Sequence, residues 1–327
     1  MSVLPRVFLL GFLVFLMGCG DCDGRIPLQT EDGRTRHYYV HEPAGWDGET
    51  PLPLVMGLHG GGGDAAGFRD SSGWPDTANT HGFLAVFPEG TGRTLLGRTF
   101  ATWNAGLCCG AALEEGVDDV AFLSAVLDDV AARYPIDEKR LYVTGHSNGS
   151  MMTLRLVCEL SSRIAAAAPY GGQGVSCAPA RAVPLLYTHG DADSCALYDG
   201  GRCGGCYQEA TNELLGTELE PVYWDCPPVI DYVDGWVSGY GCTDAPTVSL
   251  DGDEVLCERW SVCEQGSVVE RCTLEGGGHA YPGVPISSCS EDPESRECEV
   301  FERAVGPTHP HDFNEYSWRF FSSHALE

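Results

Sequence analysis

Basic residues are scarce in this chain of 327 residues, and Lys139 is its only lysine. Lysine and arginine together number 19 against 47 aspartates and glutamates, so the formal net charge is −28. Such a surface repels phosphate backbones and anionic lipid headgroups, and nucleic acid and acidic membranes are therefore not expected as partners. The sequence also shows no internal repeat and no long low-complexity tract, and its length suits one large α/β domain or two small ones.

Apolar runs long enough to span a membrane are also missing from the sequence. The apolar segment 7–17 is shorter than the roughly 20 residues that a spanning helix needs. It ends in Leu-Met-Gly-Cys, which resembles a bacterial lipobox, so residues 1–18 are predicted to be a lipoprotein-type signal peptide. Cys19 would then be lipidated and would anchor the protein to a membrane, with residues 19–34 as a linker. A plain secretory signal is the alternative, and either interpretation predicts an extracellular or cell-envelope protein.

Export gives a reason for the 16 cysteines, because thiols are oxidised to disulfides outside the cytoplasm. If Cys19 carries lipid and Cys22 lies in the linker, fourteen cysteines remain, enough for seven bridges whose pairing the sequence does not give. Cys203 and Cys206, separated by two glycines, have the spacing of half a zinc site. No matching second half is present in the sequence, so a zinc site is not expected there. No other metal and no organic cofactor is implied.

Apolar segments typical of strands alternate with helical patterns along most of the chain. Strands are predicted over residues 36–41, 51–58, 83–88, 141–144, 165–170, 184–187, 254–262 and 268–274, and helices over 117–134, 229–239 and 313–321. Such alternation predicts an α/β fold, with a mostly parallel central sheet and helices on both faces. The domain is predicted to span 35–327, and its cysteine- and glycine-rich part, 195–263, is predicted to be an excursion held by disulfides.

The most informative stretch is Gly-His-Ser-Asn-Gly at 145–149, which lies between a predicted strand and a helical pattern. A serine on a sharp strand-to-helix turn, with a glycine on either side to make room, is typical of a nucleophile elbow. The first N–H groups of the following helix then face any negative charge that forms beside the serine. The sequence therefore predicts Ser147 as a nucleophile, although an ordinary glycine turn would have the same local pattern.

A serine nucleophile needs a base within hydrogen-bond reach, and the base needs a carboxylate that orients it. In α/β hydrolases the chain order of these groups is serine, acid, histidine. Asp191 and Asp193 both follow a predicted strand after the serine, and their spacing leaves both open as the acid. Of the ten histidines, His279 follows the serine, the acid and the last predicted strand, and we predict it as the base.

The tetrahedral intermediate of acyl transfer carries a negative oxygen that two backbone N–H groups stabilise. The elbow offers the N–H of Asn148. A second N–H is expected from the glycine run 60–63, which follows an apolar strand as the HGGG-type motif of lipases and esterases does. The other interpretation of the run is a flexible loop.

These motifs together resemble the esterase and polyhydroxybutyrate depolymerase family of α/β hydrolases, which includes feruloyl and acetyl-xylan esterases of the first carbohydrate-esterase family. The matching stretches are Leu-His-Gly-Gly-Gly at 58–62, Trp-Asn-Ala-Gly-Leu-Cys-Cys-Gly at 103–110, Val-Asp-Asp-Val at 117–120, Tyr-Val-Thr-Gly-His-Ser-Asn-Gly at 142–149, His-Gly-Asp-Ala-Asp at 189–193 and Gly-Gly-Gly-His-Ala-Tyr-Pro-Gly at 276–283. The resemblance implies an α/β-hydrolase fold with a disulfide-rich insertion after the acid loop. It also implies a triad of Ser147, Asp193 and His279, with Gly61 and Asn148 as the oxyanion donors.

Two features depart from the usual pattern of that family. Tyr281 stands where the family often has tryptophan, and a cysteine-bearing segment follows the acid where the family usually has a short one. Both features lie where substrate is expected to enter. Trp103 and Tyr281 are candidate substrate-binding residues, with core packing as the simpler role for an aromatic side chain.

The sequence thus predicts an exported serine carboxylesterase that is monomeric, anchored through Cys19 and active through an acyl-enzyme. The expected substrates are feruloyl or acetyl esters of plant polysaccharide, or hydroxyalkanoate esters of the polyhydroxybutyrate type. A peptidase on the same fold is one alternative, and the lack of a large gating domain in the sequence weighs against it. The other alternative is a disulfide-rich surface module that binds glycan or polymer without catalysis.

Overall fold

The structure is a computed structural model that describes residues 24–95, 98–218, 220–252, 254–284, 289 and 292–327. The predicted signal peptide and the predicted lipidation site, Cys19, lie outside these residues. Within the described ranges, no helix combines the length and the apolar character that a membrane crossing requires.

The described strands form one large central sheet and two small two-stranded sheets. In chain order they are β1 Ile26–Gln29, β2 Thr35–His41, β3 Leu52–Leu58, β4 Leu84–Pro88, β5 Thr91–Leu95, β6 Arg98–Thr102, β7 Ile136–His146, β8 Ala166–Tyr170, β9 Leu185–Gly190, β10 Gly201–Gly204, β11 Tyr223–Cys226, β12 Thr247–Gly252, β13 Val255–Trp260 and β14 Val269–Leu274. The central sheet has the order β1-β2-β4-β3-β7-β8-β9-β14-β13-β12. Its middle strands, from β4 to β14, run parallel, and antiparallel strands form both edges.

Helices cover both faces of this sheet. The described helices are α1 Ala65–Ser71, α2 Trp74–His81, α3 Gly110–Glu114, α4 Asp119–Arg133, α5 Asn148–Glu159, α6 Cys206–Leu215, α7 Val229–Gly239, α8 Arg296–Val305 and α9 Phe313–Ser322. Successive side chains of a strand point to opposite faces. In β7, Leu141 and Val143 pack with α4, α5 and α7, whereas Tyr142 packs with α1, α2 and α9. The predicted α/β architecture is therefore confirmed.

Helix α4 illustrates how local sequence and packing act together. Asp118 caps its start by accepting a hydrogen bond from the backbone N–H of Ala121 at 2.9 Å. Its buried apolar side chains recur at helical spacing and include Leu123 and Val126. Full burial of one such side chain contributes about 1.5–3 kcal/mol. The helix ends at Arg133, and the backbone of the next residue, Tyr134, is extended because Pro135 follows.

Two predicted boundaries are wrong. Part of the predicted linker 19–34 is strand β1, which pairs with β2 and places Ile26 and Leu28 against the core. The predicted excursion 195–263 is also too long, because α7, β12 and β13 belong to the main layers. Cysteine content does not mark this boundary correctly, because one of the bridges, Cys257–Cys272, joins two neighbouring strands of the central sheet. The excursion proper covers about 195–226 and contains α6, β10 and β11.

Every described cysteine is in a disulfide. The pairs are Cys108–Cys109, Cys158–Cys177, Cys195–Cys206, Cys203–Cys226, Cys242–Cys263, Cys257–Cys272 and Cys289–Cys298. The number equals the seven bridges that the sequence allows. Because Cys203 and Cys206 bond to different partners, they do not offer the two thiolates of half a zinc site.

The topology gathers the predicted motifs at one edge of the sheet. Parallel strands direct their carboxyl ends to the same side, which is where open α/β sheets bind ligands. At this edge β3 leads into the glycine run, β7 into Ser147, β9 into the acid loop and β14 into the loop of His279. Lys139, near the start of β7, lies at the opposite edge and is exposed.

Candidate active site

Ser147 sits on a strained turn between β7 and α5, with backbone angles φ 56° and ψ −118°. A non-glycine residue in such a conformation costs about 1–3 kcal/mol and is typical of functional sites. Only glycine fits at the two positions that flank the turn, because neighbouring backbone atoms leave no space for a side chain. A Cβ on Gly145 would lie 2.3 Å from the carbonyl oxygen of Gly149, and a Cβ on Gly149 would lie 2.3 Å from that of Leu58. The elbow is therefore packed directly against β7 and the end of β3.

We expect Gly149→Ala to lower the free energy of unfolding by about 1–3 kcal/mol, the usual cost of overpacking a tight site. Gly235→Ala on α7 is the matched control, because its added methyl group would meet no atom within 4 Å. That control should be as stable as the parent or more stable by up to about 1 kcal/mol. Urea unfolding measures both, and an unchanged stability for Gly149→Ala would contradict the close approach.

The structure brings Ser147, His279 and Asp193 together although they lie on three different loops. The Oγ of Ser147 is 2.8 Å from Nε2 of His279, and Nδ1 of His279 is 2.7 Å from Oδ2 of Asp193. With the serine hydroxyl donating to Nε2, Nδ1 carries the ring proton and donates it to the carboxylate. A hydroxyl, an imidazole and a carboxylate in this order can move a proton from the hydroxyl to the imidazole.

Asp193 is almost fully buried, yet four donors surround its carboxylate. Its Oδ1 accepts the backbone N–H groups of Cys195 and Ala196 at 2.8 and 2.7 Å, and Oδ2 lies near the rings of His279 and His189. Burial alone would raise the pKa of Asp193. Positive charge on His279 and the hydrogen bonds from both histidines outweigh burial and hold the pKa well below its usual range, so the carboxylate stays ionised.

Asp191, the other carboxylate that spacing left open, has a different role. Its side chain is exposed and accepts the backbone N–H of Gly276 at 2.6 Å. It therefore fastens the loop that carries His279 without touching the imidazole. Of the two aspartates, Asp193 is the one in contact with His279.

His189 is a contact of Asp193 that sequence reasoning did not assign to the site. It lies one residue before the end of β9, the strand that leads to Asp193, and this position was the available signal. Its Nε2–H is shared between two acceptors, the carbonyl oxygen of Ala196 at 2.7 Å and Oδ2 of Asp193 at 3.2 Å. The hydroxyl of Tyr187 lies 3.1 Å from Nδ1, so His189 is held from both sides.

Two further buried histidines flank the elbow and are neutral. Burial, together with the charge of His279, lowers the pKa of His146 to about 3, and burial also lowers the pKa of His59. Nε2 of His146 contacts the carbonyl oxygen of His279 at 2.7 Å. Nε2 of His59 accepts the backbone N–H of Gly90 at 3.0 Å, a bond that protonation would break.

These neutral histidines predict a loss of stability in mild acid. Their folded pKa lies below the unfolded value of about 6.5, so their contribution is complete above pH 6.5 and falls as the unfolded chain takes up protons. Each such histidine lowers the free energy of unfolding by up to about 1.4 kcal/mol for every pH unit below the unfolded pKa. We expect His146, with its pKa of about 3, to lower the free energy of unfolding by about 2 kcal/mol between pH 7 and pH 5, and His59 to add to this loss.

Urea unfolding at both pH values tests this expectation. His59→Gln should weaken the dependence on pH, whereas His41→Gln, near the edge of the sheet and partly exposed, should keep it. Asp193 does not contribute over this range, because its lowered pKa affects stability only at more acidic pH. Equal stability at pH 7 and pH 5 would contradict the neutral state of both buried histidines.

Gly61 and Asn148, the two predicted oxyanion donors, lie side by side at the turn. A Cβ on Gly61 would be 3.4 Å from the Cβ of Asn148. The N–H groups of Gly62 and Gly63 are already used, in bonds to the carbonyl oxygens of Ala101 and Gly60. Among the described residues, neither the N–H of Gly61 nor that of Asn148 has a protein acceptor. Both amides are therefore available to a negative oxygen beside Ser147.

Trp103, the other candidate for substrate binding, does not line the cavity beside the triad. The side chain is fully buried, and its indole N–H donates to the carbonyl oxygen of His59 at 2.9 Å. The Asn148 side chain binds the same loop, since its Oδ1 accepts the N–H of Trp103 at 2.6 Å and its Nδ2 donates to the carbonyl oxygens of Trp103 and Cys108. Trp103 thus supports the glycine run and the elbow from below.

Tyr281 does line a cavity beside the triad. Its ring is nearly buried, and its hydroxyl donates to Oδ1 of Asn314 and accepts from the indole of Trp74, both at 2.9 Å. The cavity has a volume of about 160 Å³, and its wall includes Phe68, His146, Tyr207, Tyr281, Phe301 and Val305. Apolar walls with few polar groups are typical of small-molecule sites.

Comparison with known proteins identifies relatives among esterases. Feruloyl esterase B from Piromyces equi is 29% identical over 252 residues, which cover 75% of this chain and 42% of that protein. Poly(3-hydroxyalkanoate) depolymerase C from Paucimonas lemoignei is 31% identical over 140 residues, which cover 43% of this chain and 32% of that protein. The chain thus spans less than half the length of these curated relatives. No protein-family model matches it.

The solved structure of acetyl xylan esterase from Aspergillus awamori superposes with a TM-score of 0.52 and 14% sequence identity. The superposition covers 82% of this chain and 97% of that one. At such low identity the similarity speaks for the fold alone, and it confirms the α/β-hydrolase fold. The predicted resemblance to α/β-hydrolase esterases is confirmed by these similarities together.

Proposed function

We propose that this protein is a serine carboxylesterase in which Ser147 is the nucleophile, His279 the general base and acid, and Asp193 the group that orients the imidazole. The observation that carries the proposal is the continuous chain of hydrogen bonds from Ser147 Oγ through His279 to Asp193, with both distances below 3 Å. Buried polar groups rarely form such a path at a strained serine without a catalytic role. The relatedness to esterases supports the same chemistry.

In the first half of the reaction, Ser147 Oγ attacks the ester carbonyl carbon while His279 Nε2 takes the hydroxyl proton. The carbonyl oxygen becomes negative and is stabilised by the N–H groups of Gly61 and Asn148. The imidazolium formed on His279 is stabilised by the ionised Asp193. When the tetrahedral intermediate collapses, the bond to the alcohol oxygen breaks, and His279 returns the proton to the departing alcohol.

In the second half, a water molecule gives its proton to His279 and attacks the acyl carbon of the acyl-enzyme. The same two N–H groups stabilise the second negative intermediate. Ser147 then leaves as an alkoxide that takes the proton back from His279, and the carboxylic acid is released. The neutral state of His146 keeps a second positive charge away from the imidazolium during both steps.

We propose esters of feruloyl or acetyl groups with plant polysaccharide as the substrates, with hydroxyalkanoate esters as the alternative. Relatives of both kinds support these classes, and the partly apolar cavity, whose wall includes His146 before Ser147 and Tyr207 near His279, suits a small acyl or aryl group. The acidic surface disfavours strongly anionic polymers on the same electrostatic ground as nucleic acid.

The test is hydrolysis of a panel by the purified, oxidised protein. The panel contains p-nitrophenyl acetate and butyrate, methyl ferulate, acetylated xylan and short hydroxybutyrate oligomers. Turnover of ferulate or acetyl-xylan supports the polysaccharide substrates, and preference for hydroxybutyrate oligomers supports the alternative. A folded protein that hydrolyses none of these esters and takes up no fluorophosphonate at Ser147 would overturn the esterase proposal.

We also propose that the protein is exported and anchored through a lipidated Cys19. The disulfides among all described cysteines support an oxidising compartment. Mass spectrometry of the mature amino terminus tests the anchor, since a diacylglyceryl group on Cys19 is expected. An unmodified terminus beyond Cys19 would instead indicate a plain secretory signal.

A further inference from the structure

Two helices form one wall of the cavity. Neither helix carries any of the sequence motifs that predict the triad. Helix α6 contributes Tyr207, and helix α8 contributes Phe301 and Val305. The ring of Tyr207 lies 6.3 Å from the ring of Phe301 and 6.4 Å from the ring of His279, measured between centroids and edge-on or tilted in both cases. Tyr207 is also 37% exposed, so this residue of the cavity wall reaches the protein surface as well.

Disulfides and hydrogen bonds fix this wall relative to the triad. Cys206, the residue before Tyr207, is bonded to Cys195, whose backbone N–H binds Asp193. At the other helix, the carbonyl oxygen of Val305 accepts the backbone N–H of His279. The first turn of α6 and the last turn of α8 are therefore each tied to a loop that carries a member of the triad.

The two helices also hold each other. They pack side by side, and Arg303 of α8 contacts Glu213 of α6 at 2.6 Å. A second bridge, Cys289–Cys298, fastens the first turn of α8. A wall braced in this way cannot move aside easily, so a substrate group that enters the cavity must fit the space that the wall leaves.

We propose that Tyr207 is a specificity-determining residue that limits the size of the ester group admitted beside Ser147. The proposal rests on the esterase function proposed above. An apolar cavity of roughly 150 Å³ holds one benzene ring in a well-studied case, so the 160 Å³ here accepts one ring or a short aliphatic chain. Longer acyl chains meet the Tyr207 ring, and removing that ring opens the cavity to solvent above His279.

The test compares Tyr207→Ala with the parent on p-nitrophenyl esters from acetate to octanoate and on acetate esters of small and bulky alcohols. The ratio of kcat/KM for the largest to the smallest group should rise about tenfold, because one or two methylene groups in a tight pocket discriminate by at least that factor. Tyr207→Phe, which keeps the ring, should keep the parental ratio within about twofold.

Leu215→Ala is the matched control on the same helix, since Leu215 is exposed and does not line the cavity. Phe301→Ala enlarges the cavity from the other helix and keeps the test valid if Tyr207→Ala does not fold. A ratio that shifts in folded Tyr207→Ala, and not in Leu215→Ala, supports the proposal, and an unchanged ratio in folded Tyr207→Ala would overturn it. If Tyr207→Ala does not fold, the ratio for Phe301→Ala decides in the same way. A parent protein without any ester turnover would instead refute the esterase function itself.

Discussion

Replacing Ser147 with alanine is expected to reduce ester turnover by at least about 10⁴-fold, because no other group can form the acyl-enzyme. Ser147 holds a strained conformation, and alanine fits the same space, so the fold should be retained. The measurement is kcat/KM for p-nitrophenyl acetate together with thermal unfolding. A fluorophosphonate probe should label the parent and leave the variant unlabelled.

Ser322→Ala is a suitable control for this experiment, since Ser322 is exposed at the end of α9, remote from the elbow. It should be labelled and should hydrolyse esters like the parent. Ester turnover that persists in folded Ser147→Ala would refute the mechanism.

The second large loss of activity is expected for Asp193→Asn. The amide keeps the shape of the carboxylate but carries no charge, and its N–H₂ group favours the wrong tautomer of His279. In a serine protease the same change lowers kcat by about 10⁴-fold. We expect a loss of that order here, seen in kcat more than in KM, because Asp193 does not touch the cavity.

Asp191→Asn separates this effect from a general disturbance of the loop. Asp191 lies two residues away and binds the backbone of Gly276, which an amide oxygen can also do. We therefore expect a change of less than about tenfold. If the two variants lost activity equally, the orienting role of Asp193 would be wrong. A large loss in Asp191→Asn alone would assign that role to Asp191.

The parts of the fold that sequence predicted well are those in which local pattern and tertiary packing agree. The predicted helix at 229–239 coincides with α7, and the predicted helix at 117–134 overlaps α4 with a difference of two residues at its start. Both carry an apolar stripe at helical spacing and a polar outer face. The strand, elbow and helix around Ser147 are equally clear, since sterics leave glycine as the residue that fits at 145 and 149.

The parts that sequence missed depend on contacts between distant segments. The four-residue strand β1 has too short a pattern to recognise before its partner β2 is known. Trp103 and Tyr281 are both aromatic and adjacent to motifs, and only packing decides that one is buried under the elbow while the other faces the cavity. Tyr207 lies near His279, and the bridge Cys195–Cys206 ties the start of its helix to the acid loop, but the pairing of cysteines is not encoded locally.

The position of Lys139 has a practical consequence. It is exposed near the start of β7, and Ser147 follows the end of the same strand eight residues later. At about 3.3 Å per residue the two are about 26 Å apart, at opposite edges of the sheet. Reagents that couple to side-chain amines thus have one target in the whole sequence, and it is remote from the cavity. A support coupled through that amine would hold each molecule in a common orientation, with the triad turned toward the solution.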